Sequence, residues 1–156
     1  FFSMYPSFSY NPSNSAMEEF YRLCNTHHWR REAPEREAAR RAFNKALVLQ
    51  FNHNFGTDVE DLHSWQVLAG LIGMDPIPDK LGECRRRVKA SHVNLVDLID
   101  AFAAGEQASQ FPSEMALSVY TKDTGKFFPR HDIHAGDLLK SLLRNILYPS
   151  QNRGNR

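Results

Sequence analysis

Residues 34–56 read "PEREAARRAFNKALVLQFNHNFG", and the spacing inside this stretch decides the class of fold. Pro34 stands at a position that suits the first turn of a helix, and Gly56 at the position of a C-terminal stop. Between them Phe43, Leu47, Phe51 and Phe55 form an i+4 ladder along one face of an α-helix, in a run far longer than an ordinary strand. Ala39, Ala42 and Ala46 leave room for a neighbouring helix to come close. The stretch therefore predicts a long central helix.

Other segments repeat the pattern outward from this one. Ser15 with Glu18 has the spacing of a capping box, and Met17, Phe20, Tyr21 and Cys24 follow at helical intervals, so a helix is expected from about Ser15 to His28. Thr57 with Glu60 suggests a second capping box, opening a helix that carries Leu62, Trp65, Leu68, Ala69 and Ile72 and ends at Gly73. After the proline link "MDPIPD", Ile77, Leu81, Cys84 and Val88 form a narrow stripe on a helix expected over Pro78–Ala90. Asn94 is the expected N-cap of the next helix, with Val93 and Leu98 in hydrophobic-staple positions, Leu95, Leu98, Ile99 and Phe102 as its stripe, and Gly105 as its end. Ser113 caps a short helix holding Met115, Ala116, Val119 and Tyr120. A last helix is expected over Asp132–Leu147, with Leu138, Leu139, Leu142, Leu143 and Ile146 on its face. No internal repeat and no convincing strand pair is evident.

These readings define an all-α, compact single-domain bundle of about seven helices, spanning residues 15–148. Residues 1–14 precede it as an extended aromatic arm, and residues 149–156 follow as a polar tail. Pro6 and Pro12 disfavour helix in the arm, where Phe2 with Met4 and Phe8 with Tyr10 fall at the period of a strand. A chain of 156 residues is large enough to bury roughly 70% of its unfolded surface, so it needs no disulfide or metal to fold.

Composition narrows the function. The 19 basic and 18 acidic side chains leave a net charge of +1, so any attraction for phosphate has to come from a local patch. No apolar run approaches a membrane span, and the opening residues lack the basic flank and continuous apolar core of a signal peptide. Cys24 and Cys84 are too few for a disulfide framework, which favours an intracellular setting, in the nucleus or cytoplasm. Because the numbering begins at Phe1, the sequence reads as a fragment of a longer chain.

Five patterns invite a chemical reading. Arg85, Arg86, Arg87 and Lys89, with Arg30, Arg31, Arg40 and Arg41 elsewhere, suggest phosphate contact. Glu32, Glu35, Glu37 and Glu83 interleave them, and positive charge in the last turns of a helix also offsets its dipole. Cys24, His27, Cys84 and His92 have the inventory of a zinc site without its spacing, and His131 with His134 lacks a third ligand, so no metal and no cofactor is assigned. Gly125 and Lys126 sit in a turn without the second glycine, the following hydroxyl residue or the flanking elements of a phosphate loop. "LKSLL" over Leu139–Leu143 has the spacing of a docking helix, and equally that of a helix closing its own bundle. His53, His63, Asp58 and Asp61 gather near Gly56, the place best suited to acid and base work, though no nucleophile accompanies them.

The segments "WQVLAGLIGMD", "CRRRVKASHVNLVDLIDAF" and "YTKDTGKFFPRHDIHAGDLLKSLLRNIL" in this order resemble a group of short, functionally unassigned helical proteins of filamentous fungi. The resemblance runs from about Phe8 to Ile146 and implies a single intracellular domain, without implying any site residue.

The residues favour a non-enzymatic module that binds another protein through an apolar groove or through the arm, where Phe2, Tyr5, Phe8 and Tyr10 are the expected contacts. The alternative is a nucleic-acid or chromatin-associated module using Arg85, Arg86, Arg87 and Lys89. A small hydrolase or transferase stands third.

Overall fold

The computed structural model describes residues 1–144 and 146–149. The tail expected from residue 149 onward therefore lies, from Ser150, outside the described residues. Among the described residues there are seven α-helices: α1 (Ala16–Thr26), α2 (Pro34–Phe55), α3 (Leu62–Leu71), α4 (Leu81–Ala90), α5 (Leu95–Ala104), α6 (Glu114–Thr124) and α7 (Asp137–Leu142). A single antiparallel strand pair, β1 (His92–Val93) with β2 (Gln110–Phe111), joins the entrance of α5 to the entrance of α6. Nothing in the pattern of so short a pair separates it from loop, and the sequence reading missed it.

Helix α2 is the central element, packed on α3 and α5, while α3 lies against α4 and α5. The fourfold ladder does what its spacing requires: Phe43, Leu47, Phe51 and Phe55 are all buried, and Ala39 is buried beside them. Phe20 of α1 stacks on Phe43 with ring centroids 4.8 Å apart. Trp65 is wholly buried, and its indole N–H donates to the Val59 carbonyl at 2.8 Å, so the largest side chain of the core leaves no polar atom unmatched. Burial of each such side chain stabilises the fold by roughly 1.5–3 kcal/mol.

Caps fixed by neighbours in sequence form as expected. The Asn94 side chain accepts from the Val96 and Asp97 amides, Ser113 accepts from Ala116, and Gly105 ends α5 in the left-handed region. The two capping boxes do not form. Ser15 makes no side-chain cap; its hydroxyl donates to Asp100 Oδ2 at 2.8 Å, while the Ala16 amide donates to Asp100 Oδ1 at 3.0 Å, so a carboxylate of α5 caps α1 from across the bundle. Helix α3 starts at Leu62 under an Asp61 cap, later than Thr57, because Asp58 turns back to the Glu60 amide and the Val59 carbonyl is committed to Trp65.

Three further elements depart from the sequence reading. Helix α4 begins at Leu81, and Ile77 lies outside it, 43% exposed. Helix α6 turns Met115 and Val119 outward and buries Leu117, Ser118 and Thr121, its neighbours being the β pair and, through Thr121 and Tyr120, the start of α5. Helix α7 is confined to Asp137–Leu142. Its approach is fixed to the end of α2, where Asn52 Nδ2 donates to the His134 carbonyl and the Leu138 amide to the Thr57 carbonyl, and Leu143 is already extended. Gly136 sits so close to Thr57 that a Cβ there would come within 2.6 Å of the threonine Cβ.

The arm is ordered and is not strand-like. Phe2–Met4 form one turn of 3₁₀ helix, followed by turns that carry the chain to Ser15. Phe1 packs on Phe20 and Phe43, and Phe8 is buried beneath the Arg22 guanidinium, 4.3 Å from its ring centre. The anchor is Glu19, a fully buried carboxylate of α1. It accepts from the Asn11 amide at 2.8 Å, from Asn14 Nδ2 at 2.9 Å, and from Arg22 Nε and Nη2 at 2.9 and 2.6 Å. Arg22 first, then the arm's donors, outweigh the effect of burial and hold the Glu19 carboxyl at about 2.

Candidate functional site

A groove of about 1020 Å³ lies between the arm, α2 and α5. Its apolar surface comes from Phe2 of the arm, Phe43 and Leu47 of α2, and Ile99 and Phe102 of α5. Phe2 stacks on Tyr10 with centroids 4.3 Å apart and planes 12° from parallel, which makes the arm a preformed aromatic wall. Phe102 was expected to be core. It is instead 41% exposed, touching Phe55 edge-on at 5.4 Å and presenting its remaining surface to the groove.

Asp100 belongs to this lining and at the same time caps α1 through Ser15 and Ala16. Burial, the leading cause, raises its carboxyl above the usual range, against the hydrogen bonds from Ala16 and Ser15 that lower it. Asp100 and Glu106 are the charged carboxylates of the lining, His53 lies at its rim, and no lysine or arginine side chain takes part. The groove thus combines an apolar surface and an aromatic wall with two carboxylate side chains.

The four arm residues divide between two tasks. Phe2 and Tyr10 line the groove, whereas Phe8 is buried under Arg22 and Tyr5 packs against Phe1, His27 and Trp29 away from it. Ile99, Asp100 and Phe102 were not foreseen as site residues. The signal available for Phe102 was the width of the α5 stripe, broader than one contact needs; for Asp100 there was none, because its partners lie across the bundle.

The remaining candidates are not gathered into sites. Arg85 pairs with Glu60 at 3.2 Å, Arg41 with Glu37 at 3.5 Å, and Arg40 lies over the Phe20 and Tyr21 rings; Arg86 and Lys89 are exposed and Arg87 half-buried in the later turns of α4, and Arg30 and Arg31 are exposed in the link between α1 and α2. Cys24 and Cys84 are free and buried in separate helices, with burial pushing both thiols up, and no three His, Cys, Asp or Glu converge as a ligand set among the described residues. Near Gly56, Asp61 is used as the α3 cap and Asp58 in its own turn, while His53 and His63 are exposed. In the "LKSLL" segment Leu139 and Leu142 are buried within the chain's own bundle, as is the neighbouring Leu138. Lys126 binds Asp97 at 2.9 Å and the Tyr120 hydroxyl at 3.0 Å, and Tyr120 donates to Asp97 at 2.8 Å. Burial works against the lysine's charge, but these two partners more than offset it, so the closed triangle serves as a fastening between α5 and the end of α6.

No helix among the described residues is long and apolar enough to cross a membrane. Compared with protein-family models, curated proteins and solved structures, the chain gives no match.

Proposed function

We propose that the protein is a non-enzymatic, intracellular interaction module whose arm, α2 and α5 together form a groove for a segment of a partner protein. The observation that carries this reading is the pairing of an apolar lining with Asp100 and Glu106 and with no basic side chain. Charge complementarity then selects the occupant: an apolar segment bearing a lysine or arginine, its rings or aliphatic chains laid on Phe2, Tyr10, Ile99 and Phe102, its cation at Asp100. The Phe2–Tyr10 stack supports the reading, since an aromatic wall already ordered by Glu19 and Phe8 reduces the entropy lost on binding.

Selection of binders from a displayed peptide library, with the full chain as bait, tests it. Recovered sequences are expected to combine aromatic or aliphatic residues with a nearby lysine or arginine. Asp100→Asn should weaken them about tenfold, the loss of one charge-assisted contact. The asparagine can still accept from Ala16 and meet the Ser15 hydroxyl, so the cap of α1 is preserved. Acidic binders, or binders indifferent to Asp100→Asn, would overturn the reading.

A further inference from the structure

A second cavity, of about 190 Å³, lies at the start of α5, whereas the arm groove uses its later turns; it is bordered by the Lys126–Arg130 loop and by Leu143, Arg144 and Ile146. Val93, Leu95, Leu117, Phe128, Leu142 and Ile146 give it an apolar interior. An apolar cavity of roughly 150 Å³ accepts a benzene ring, so this one has room for a ring and a small substituent.

Its polar groups are of one sign. Lys126, Arg130 and Arg144 border the cavity and no carboxylate does. Lys126 is neutralised by Asp97, whereas Arg144 forms no ion pair among the described residues: its guanidinium donates to the backbone carbonyls of Lys89 and Ser91, which fix its position. Burial first and then Arg144 hold the His92 imidazole below its ordinary value, against Glu114 and a backbone hydrogen bond with Phe111. Arg130 is exposed at the rim and forms no ion pair among the described residues. The polar groups deeper in the lining are satisfied internally: Asn94 Nδ2 donates to Thr121 Oγ1 and to the Lys126 carbonyl, so the interior asks nothing of a guest but apolar surface.

An apolar recess of ring size bordered by two guanidinium groups that form no ion pair among the described residues fits a small amphiphile with one anionic end. We infer that the cavity binds a compact apolar monocarboxylate, a free aryl or short branched-alkyl acid, with its hydrocarbon inside and its carboxylate between Arg130 and Arg144. Planar guanidinium groups suit a carboxylate, which they can hold through paired N–H donors.

Titration of the full chain with phenylacetate, phenylacetamide and acetate, followed by calorimetry and by NMR shifts of the Leu117 and Leu142 methyl groups, tests the inference. Phenylacetate is expected to bind and to move those methyls. The amide, equal in shape but uncharged, should bind about tenfold more weakly, as loss of a charge-assisted contact implies. Acetate, with no ring to bury, should not bind measurably. Arg130→Gln breaks no hydrogen bond or ion pair among the described residues, and it should bring the acid part of the way down to the level of the amide while leaving the amide unchanged. Arg144→Gln should act in the same direction. Equal binding of acid and amide, an unaltered Arg130→Gln protein, shifts confined to the arm groove, or binding only of a peptide ending in a free phenylalanine carboxylate would each overturn the inference. So would the absence of binding by phenylacetate at 10 mM or about that concentration, a Kd too weak to set against the roughly −4 kcal/mol of a millimolar ligand.

Discussion

Replacing Asn94 separates a local cap from a long-range tie at a single buried residue. Its side chain is 4% exposed and makes four hydrogen bonds: Oδ1 accepts from Val96 and Asp97 at 2.9 and 3.1 Å, and Nδ2 donates to Thr121 Oγ1 and the Lys126 carbonyl at 3.1 and 3.0 Å. Loss of the cap alone costs about 1 kcal/mol. Leaving the two acceptors of α6 and its exit without their donor adds about 1 kcal/mol or slightly more for each, so Asn94→Ala should cost about 3–4 kcal/mol in all. Asn94→Asp retains both acceptor bonds and gains a favourable charge at the start of α5, worth about 0.3–1 kcal/mol, but cannot donate. It should therefore cost only about 1–2 kcal/mol. Urea unfolding followed by tryptophan fluorescence, with the slope unchanged between variants, gives the three stabilities directly. An alanine cost near 1 kcal/mol, with the aspartate variant as stable as the parent, would show that the tie to α6 contributes nothing and would refute the assignment.

Acid should release the arm before it unfolds the bundle. The Glu19 carboxyl falls from an ordinary 4.5 to about 2 in the folded chain, so its contribution is complete above pH 4.5 and is lost as the pH falls from there towards 2. Fluorescence of Trp29, which packs on Tyr5, should change over that window, and Glu19→Gln should remove the change. Deletion of residues 1–10 removes Phe8 and the Phe1–Phe43 contact and should lower the melting temperature by several degrees in calorimetry, as a loss of a few kcal/mol implies. Gly136→Ala should cost about 1–3 kcal/mol by overpacking against Thr57, and Thr57→Ser, by removing a methyl from that contact, should recover part of it in the double variant. Reversing Arg86 and Lys89 to glutamate should leave the fold intact at a cost of no more than about 1 kcal/mol each, measured by the same urea unfolding.

What was legible in the sequence was what neighbours in sequence decide. The Phe43–Phe55 ladder, the Pro34 start and the Asn94 and Ser113 caps depend on residues within a few positions, and each takes its expected place. The Ser15 and Thr57 boxes failed because a distant group or a local turn made a better offer. Ser15 meets Asp100, 85 residues away, and no spacing rule reaches that far. Helix α7 ends early for the same reason, its flanking chain being tied to α2 on one side and, through Arg144, to the end of α4 on the other. Of the candidate groove, Phe2 and Tyr10 were visible as aromatic residues in a proline-containing arm, while Asp100 looked like one more charge on a helix until α1 came to rest on it.

An NMR titration of the labelled full chain with a peptide recovered by selection tests the interaction reading most directly. The account predicts shifts concentrated at Phe2, Tyr10, Ile99 and Phe102, together with loss of binding as the pH is lowered through the raised pKa of Asp100, whose carboxylate is needed in its charged form. Shifts centred on Arg86 and Lys89 of α4, with the arm and α5 silent, would contradict it.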